Sequence, residues 1–146
     1  MAVNPGEGER PLRSTLSGGE LSRTMLALKS VLADVDTVPL LVFDEVDAGI
    51  AGETGNRIGE ALRALGAGRQ VFAVTHLHQV AALADLHLKA VKGQADGRTR
   101  TVVSALDEEG RIAELARMLG APENAEALAH ARSLREQIRA RSARKS

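Results

Sequence analysis

The sequence predicts an α/β fold, a mainly parallel sheet with flanking helices and an added β-hairpin, and three observations carry that expectation. Two short apolar runs, Leu40-Leu41-Val42-Phe43 and Val71-Phe72-Ala73-Val74, show no alternation with polar residues, the pattern of strands buried on both faces of a parallel sheet. Segments with apolar residues at helical spacing precede, separate and follow these runs, so that helix and strand alternate along the chain. Both runs end in groups suited to chemistry, Asp44-Glu45 and Thr75-His76, at the carboxyl ends where open α/β sheets hold their ligands.

Residues 1–16 carry Pro5, Gly6, Gly8 and Pro11 among charges and read as an irregular lead-in. From Glu20 to about Val35, the residues Leu21, Met25, Leu28, Val31 and Leu32 recur on one face of an amphipathic helix, and Ser17 and Glu20 have the spacing of a capping box at its start. Pro39 opens the first strand. After a loop over 46–52, Ile58, Ala61, Leu62 and Leu65 mark a second helix, closed by Gly66 and Gly68. Beyond the second strand, residues 77–84 predict a short helix. Segments 86–91 and 99–106 flank the polar run Gly93-Gln94-Ala95-Asp96-Gly97, which predicts a hairpin with a five-residue loop. Two more helices end the chain, one on Ile112, Leu115, Ala116 and Leu119 stopping at Gly120, the other on Leu128, Ala131, Leu134 and Ile138.

The 146 residues make one ordinary domain or a large part of one, and at 44% hydrophobic they can bury a core. Lys plus Arg number 19 and Asp plus Glu number 19, so any contact with nucleic acid is local and owes nothing to net charge. A local excess stands at the end. After Ala131 come Arg132, Arg135, Arg139, Arg141, Arg144 and Lys145 against the single acid Glu136, which reads as a solvated, fraying basic tail over 132–146 or as an arm toward DNA. The absence of cysteine excludes a disulfide framework and a thiolate metal site, and makes the cytoplasm the expected location. No apolar run approaches the ~20 residues that cross a bilayer, and no membrane association is expected. Phe43 and Phe72 are the sole aromatics, too few for a base-stacking platform.

Ser17-Gly18-Gly19-Glu20 at a helix start presents backbone N–H groups, a positive dipole end and a small hydroxyl, the parts of an anion site, and the glycines let a phosphate approach the backbone. The same residues also read as an ordinary N-cap. Adjacent carboxylates on a strand point to opposite faces, so Asp44 suits Mg²⁺ held through its water shell while Glu45 suits polarising a water in phosphoryl transfer. Two solvated acids closing a strand is the plainer alternative. His76 can donate a hydrogen bond to a phosphate or a water from the next strand end. A metal site on His76, His78, His87 and Asp85 lacks ligand spacing, and Gly49, Gly52 and Gly55 do not form the dinucleotide-binding G-x-G-x-x-G pattern.

In order along the chain, Leu16 to Glu20 resembles the signature motif of ABC-type ATPase heads, Leu40 to Glu45 their Walker B strand and His76 their switch histidine. Asn4-Pro5-Gly6-Glu7, Ser17-Gly18-Gly19-Glu20-Leu21-Ser22-Arg23, Phe43-Asp44-Glu45-Val46-Asp47-Ala48-Gly49-Ile50 and Val74-Thr75-His76-Leu77-His78-Gln79-Val80-Ala81 narrow the resemblance to the RecN family. Those are bacterial recombinational-repair ATPases of the structural-maintenance-of-chromosomes (SMC) class. Val46, where transporter members usually carry Pro, argues against a transporter subunit. The resemblance implies the C-terminal half of an ABC-type P-loop ATPase head, over 17–131, acting with ATP and Mg²⁺ in DNA double-strand break repair. No G-x-x-x-x-G-K-[ST] occurs here, so the phosphate loop would come from an N-terminal Walker A half and the isolated chain is expected to be inactive. By the same resemblance two heads sandwich ATP as a homodimer. Ser17, Gly18, Gly19 and Glu20 then serve the partner's nucleotide in trans, with Asp47 and the Gly49-Ile50 backbone as cross-dimer candidates. Asp44, Glu45 and His76 act in cis, and DNA is the implied further partner. A different-class alternative is a half-domain that completes a partner's fold and has no activity of its own.

Overall fold

The computed structural model describes residues 16–95, 98–121 and 124–143, and the chain falls into two compact units, Met1–Val80 and Ala81–Ser146. Residues 1–15, which hold most of the expected lead-in, lie outside the described residues, as do Asp96-Gly97 and the basic residues Arg144 and Lys145.

The first unit is built from helix α1 (Gly18–Val31), strand β1 (Leu40–Phe43), helix α2 (Glu53–Gly66) and strand β2 (Gln70–Ala73). The strands pair in parallel, Leu40 opposite Gln70 through Phe43 opposite Ala73, as a strand-helix-strand crossover requires. Leu41 and Phe43 point into a core with Leu26 of α1, Val46 and Val80 from the loops and short helix, and Ile58, Leu62 and Leu65 of α2. The helical spacing of Ile58, Leu62 and Leu65 puts all three on the buried stripe of α2.

Two expectations need correcting here. The parallel sheet is a pair of strands among the described residues, so a mainly parallel sheet is not what these residues form. Nor are the strands buried on both faces: Leu41 and Phe43 are covered, while Leu40, Val42, Phe72 and Val74 stay exposed, because the core residues of α1 and α2 pack with one face only. The same holds for α1, where Leu26 is buried and Met25, Leu28, Val31 and Leu32 of the expected apolar face are exposed.

The second unit opens within the short helix α3 (His78–Leu83), followed by β3 (Leu88–Ala95), β4 (Arg98–Ala105), α4 (Glu108–Met118) and α5 (Ala125–Ala143). β3 and β4 are antiparallel from Leu88 opposite Ala105 to Ala95 opposite Arg98. Gly93, Gln94 and Ala95 therefore belong to a strand, and two residues rather than five separate the partners. Strand pairing extends past the apolar stretch because the backbone ladder needs no apolar side chain to continue. Ala81, Ala82, Ile112, Leu115, Ala116, Ala131 and Ile138 form this unit's core, and Gly120 ends the α4 segment at φ 85°, a conformation that favours glycine.

α4 starts on an Asp107 cap, whose side chain accepts from Gly110 N–H at 2.8 Å, and its first-turn acids meet the basic face of α5. Arg135, buried, donates to Glu108 (3.1 Å from each of two nitrogens) and to the Ala82 carbonyl at 2.7 Å; Arg139 joins Glu108 at 2.8 Å and Arg132 joins Glu109 at 2.7 Å. Acids at a helix N-terminus are favoured by its dipole, so Glu108 is held ionised from both sides. The hydrogen bonds from Arg135 hold its carboxyl below the ordinary carboxylate value. Three arginines of the basic end are thus spoken for within the unit, and α5 continues as helix to Ala143.

Candidate active site

Parallel pairing brings both strand ends to one edge. The pairing runs one residue further than β2, with Val74 N–H donating to the Phe43 carbonyl at 2.9 Å, so Asp44-Glu45 and Thr75-His76 emerge side by side. They line an open recess of about 350 Å³ together with Asp47, Ala48 and Val74. Asp44 and Glu45 are exposed to it, and the His76 side chain is 67% exposed.

Asp47 closes the floor. Its buried carboxylate accepts hydrogen bonds from the Thr75 hydroxyl, from His76 N–H at 2.8 Å and from Leu77 N–H at 3.2 Å. The same oxygen lies 3.2 Å from His76 Nδ1, a contact that orients the imidazole. Burial alone raises the Asp47 carboxyl, but the bonds from Thr75 and the His76 backbone, with the nearby imidazole, outweigh it and hold it below the ordinary value. The Asp47 carboxylate is thus turned toward its own chain, where three donors and the imidazole share it. On the same loop Gly49 has φ 70° and the Ile50 N–H donates to the Asp47 backbone carbonyl at 3.1 Å.

Glu45 has φ 56°, in the left-handed region that a side chain enters at a cost of about 1–3 kcal/mol. Its carboxylate lies against the start of α1: a Cβ on Gly18 would stand 2.5 Å from Glu45 Oε2. A Cβ on Gly19 would meet Ala48 Cβ at 2.9 Å and the Glu45 carbonyl at 3.0 Å. The glycines therefore let helix and loop touch. Gly19→Ala is expected to lower the unfolding midpoint in urea although alanine is the better helix former by about 1 kcal/mol, because the Ala48 Cβ and the Glu45 carbonyl in its way move only with the loop backbone; Gly18→Ala meets only the flexible end of Glu45 and is expected to be tolerated. A stabilised Gly19→Ala would show that the contact is loose.

Ser17 caps α1. Glu20 N–H donates to Ser17 Oγ at 3.3 Å, while the Ser17 backbone N–H and hydroxyl donate to Glu20 Oε2 at 2.9 and 2.8 Å. The Ser17 hydroxyl proton is thereby committed within the helix start, and the Ser17 bonds hold the Glu20 carboxyl below its ordinary value. Leu21 N–H bonds the Ser17 carbonyl, so among the described residues Gly18 and Gly19 are left as the N–H donors of the first turn without an acceptor.

Residue reasoning missed the roles of two side chains next to this start. Ser22 Oγ donates to the Asp44 carbonyl at 2.6 Å, and Arg23 donates to the carbonyls of Ala48 at 2.9 Å and Val46 at 3.4 Å. The Ser22-Arg23 pair was visible after Ser17-Gly18-Gly19-Glu20, but nothing local says that a helix side chain reaches a loop more than twenty residues away.

Among the described residues no three His, Asp or Glu side chains converge as a metal cage. An exposed carboxylate on a recess, here Asp44, fits the way Mg²⁺ is held beside phosphates, through water and few protein ligands.

A solved structure from work on ATP-driven dimerization and DNA-stimulated activation of SMC ATPases matches 78% of this chain and 68% of its own, with a TM-score of 0.50 and 22% identity, so the fold is SMC ATPase-like. No family model matches the chain. In sequence it is homologous to the C-terminal part of DNA repair protein RecN. It is 50% identical to that of Xylella fastidiosa over 120 residues, 82% of this chain and 22% of the relative. It is 48% identical to that of Streptomyces coelicolor over 141 residues (96% and 25%) and 43% to that of Bacillus subtilis over 123 (84% and 21%). The chain thus spans about a quarter or less of the length of the curated relatives it matches. Among the described residues no helix is long and apolar enough to cross a membrane.

Proposed function

We propose that this chain is the C-terminal half of an ATP-binding and ATP-hydrolysing head in a RecN-like protein of double-strand break repair and recombination. The observation behind this reading is the recess lined by Asp44, Glu45 and His76 beside the Ser17-Gly18-Gly19-Glu20 helix start, where the Gly18 and Gly19 N–H groups have no acceptor among the described residues. Glu45 positions the attacking water and draws on its proton; His76, oriented by Asp47, donates a hydrogen bond to the terminal phosphate. Asp44 holds Mg²⁺, which when bound neutralises charge across the phosphates. An N-terminal half supplies the phosphate loop and covers the exposed face of Leu40, Val42, Phe72 and Val74. Gly18 and Gly19 N–H groups, on the end capped by Ser17 and Glu20, meet the nucleotide of a second head, making ATP the glue of a homodimer. DNA is the further partner and the cytoplasm, at the nucleoid, the place.

The test is Mg²⁺-dependent ATP hydrolysis by this chain mixed with the separately made phosphate-loop half, with Glu45→Gln as control. Turnover in the mixture alone, lost in Glu45→Gln, supports the reading; no turnover from a demonstrated complex overturns it. That second outcome would favour a half-domain which only completes a partner's fold, a role the exposed apolar face also suits. Ser17→Arg is expected to lower nucleotide-driven head pairing, read by light scattering, at least tenfold, because it removes the cap and adds bulk and charge at the contact. Normal pairing would remove the trans role.

A further inference from the structure

Three carbonyls flank the candidate catalytic residue on the loop after β1, and two side chains from one turn of α1 hold all three. Ser22 Oγ holds that of Asp44 at 2.6 Å, before Glu45; Arg23 holds those of Val46 at 3.4 Å and Ala48 at 2.9 Å, after it. Between the anchor points Glu45 keeps φ 56°, a conformation that persists only where its surroundings over-determine it. Within the loop Ala48 N–H closes a turn on the Glu45 carbonyl at 3.0 Å. Gly19 leaves the room this needs, since a Cβ there would stand 3.0 Å from Arg23 Nη1. Arg23 reaches both acceptors through the one nitrogen Nη1, which its planar guanidinium holds in place better than a flexible stem holds a lysine ammonium.

We propose that Ser22 and Arg23 are positioning residues that lock the loop carrying Glu45 to helix α1, so that the helix serving one nucleotide sets the backbone of the carboxylate serving another. The inference rests on the functional reading above. Under it, a head that has not seated α1 against its partner's nucleotide need not hold Glu45 in line, and each site of the dimer reports on the other through Ser22 and Arg23. These two side chains touch neither nucleotide nor water; they act through the carbonyls of residues 44, 46 and 48.

Two measurements test it. In this chain alone, Arg23→Ala is expected to speed amide exchange at Ala48 at least tenfold, while Val74 N–H, bonded to the Phe43 carbonyl outside the clamp, keeps its wild-type rate. In the mixture with the phosphate-loop half, Arg23→Ala is expected to lower kcat at least tenfold with KM for ATP changed less than twofold. Ser22→Ala should follow with a smaller loss, and Arg23→Lys should recover part of kcat. Arg57→Ala, on an exposed ion pair with Glu53, is the control that changes neither. Unchanged exchange at Ala48, a kcat equal to wild type, or a loss carried equally by exchange at Val74 overturns the proposal, the last by marking Arg23 as merely structural. A wild-type mixture that never turns over overturns the functional reading instead, and this coupling with it.

Discussion

Glu45→Gln in the completed head is expected to leave ATP binding intact, prolong nucleotide-driven pairing and lower turnover by a factor on the order of 10²–10³. The exchange replaces a carboxylate oxygen by an amide of the same shape, so the recess and the contact with Gly18 survive while the group that draws on the attacking water's proton is gone. Since hydrolysis would release the sandwiched nucleotide, slowing it keeps the heads together. Equilibrium ATP binding, light scattering and phosphate release on the same preparation separate the three effects. Turnover within threefold of wild type would strip Glu45 of its role and leave His76 as the nearest group able to serve the water.

Asp47→Ala is expected to destabilise the first unit by about 3 kcal/mol, the scale set by removing a buried charged acceptor from its donors. Thr75, His76 N–H and Leu77 N–H lose one shared partner, and the imidazole loses its guide. Asp47→Asn keeps an acceptor oxygen and is expected to cost about 1–2 kcal/mol. Because the carboxyl is held below its ordinary value in the folded chain, its contribution is complete above that ordinary value and is lost as pH falls through the folded one. The gap between wild type and Asp47→Asn should therefore be widest near neutrality and close in acid. Urea unfolding followed by far-UV circular dichroism reads this, the chain having no Trp or Tyr to report by fluorescence. A gap that does not change with pH would mean that the network, and not the charge, does the stabilising. Glu20, Asp36, Glu108 and Glu114 are also held low, so total stability falls in acid in both variants and the difference curve carries the argument.

Much of the fold was legible because it is local. Ile58, Leu62 and Leu65 recur with the period of a helix and are buried as one stripe; Gly120 stands where a helix must stop and has the positive φ that stops it. The short runs at Leu40 and Val71 are strands, as unbroken apolar stretches of that length suggest. Their burial on two faces was not legible, since an apolar side chain says that it should be covered but not by what. Met25, Leu28 and Val42 are exposed among the described residues for that reason. The hairpin is legible but the length of its loop is not, because polar Gly93-Gln94-Ala95 has the composition of a turn while its backbone still pairs.

What the sequence by itself determined is the order of chemical groups: a capped helix start at Ser17, carboxylates at 44 and 45 and a histidine at 76, each at the end of a local element that periodicity and caps specify. What only the tertiary structure decided is how these groups are held. Parallel pairing brings Asp44-Glu45 and Thr75-His76 to one edge; the Asp47 carboxylate bonds to the next strand end; and Ser22 and Arg23 cross to the carbonyls around Glu45. Those bonds join residues 22 to 30 apart in the chain, and a hydrogen bond is specified by distance and direction in space, which no periodicity along a sequence records.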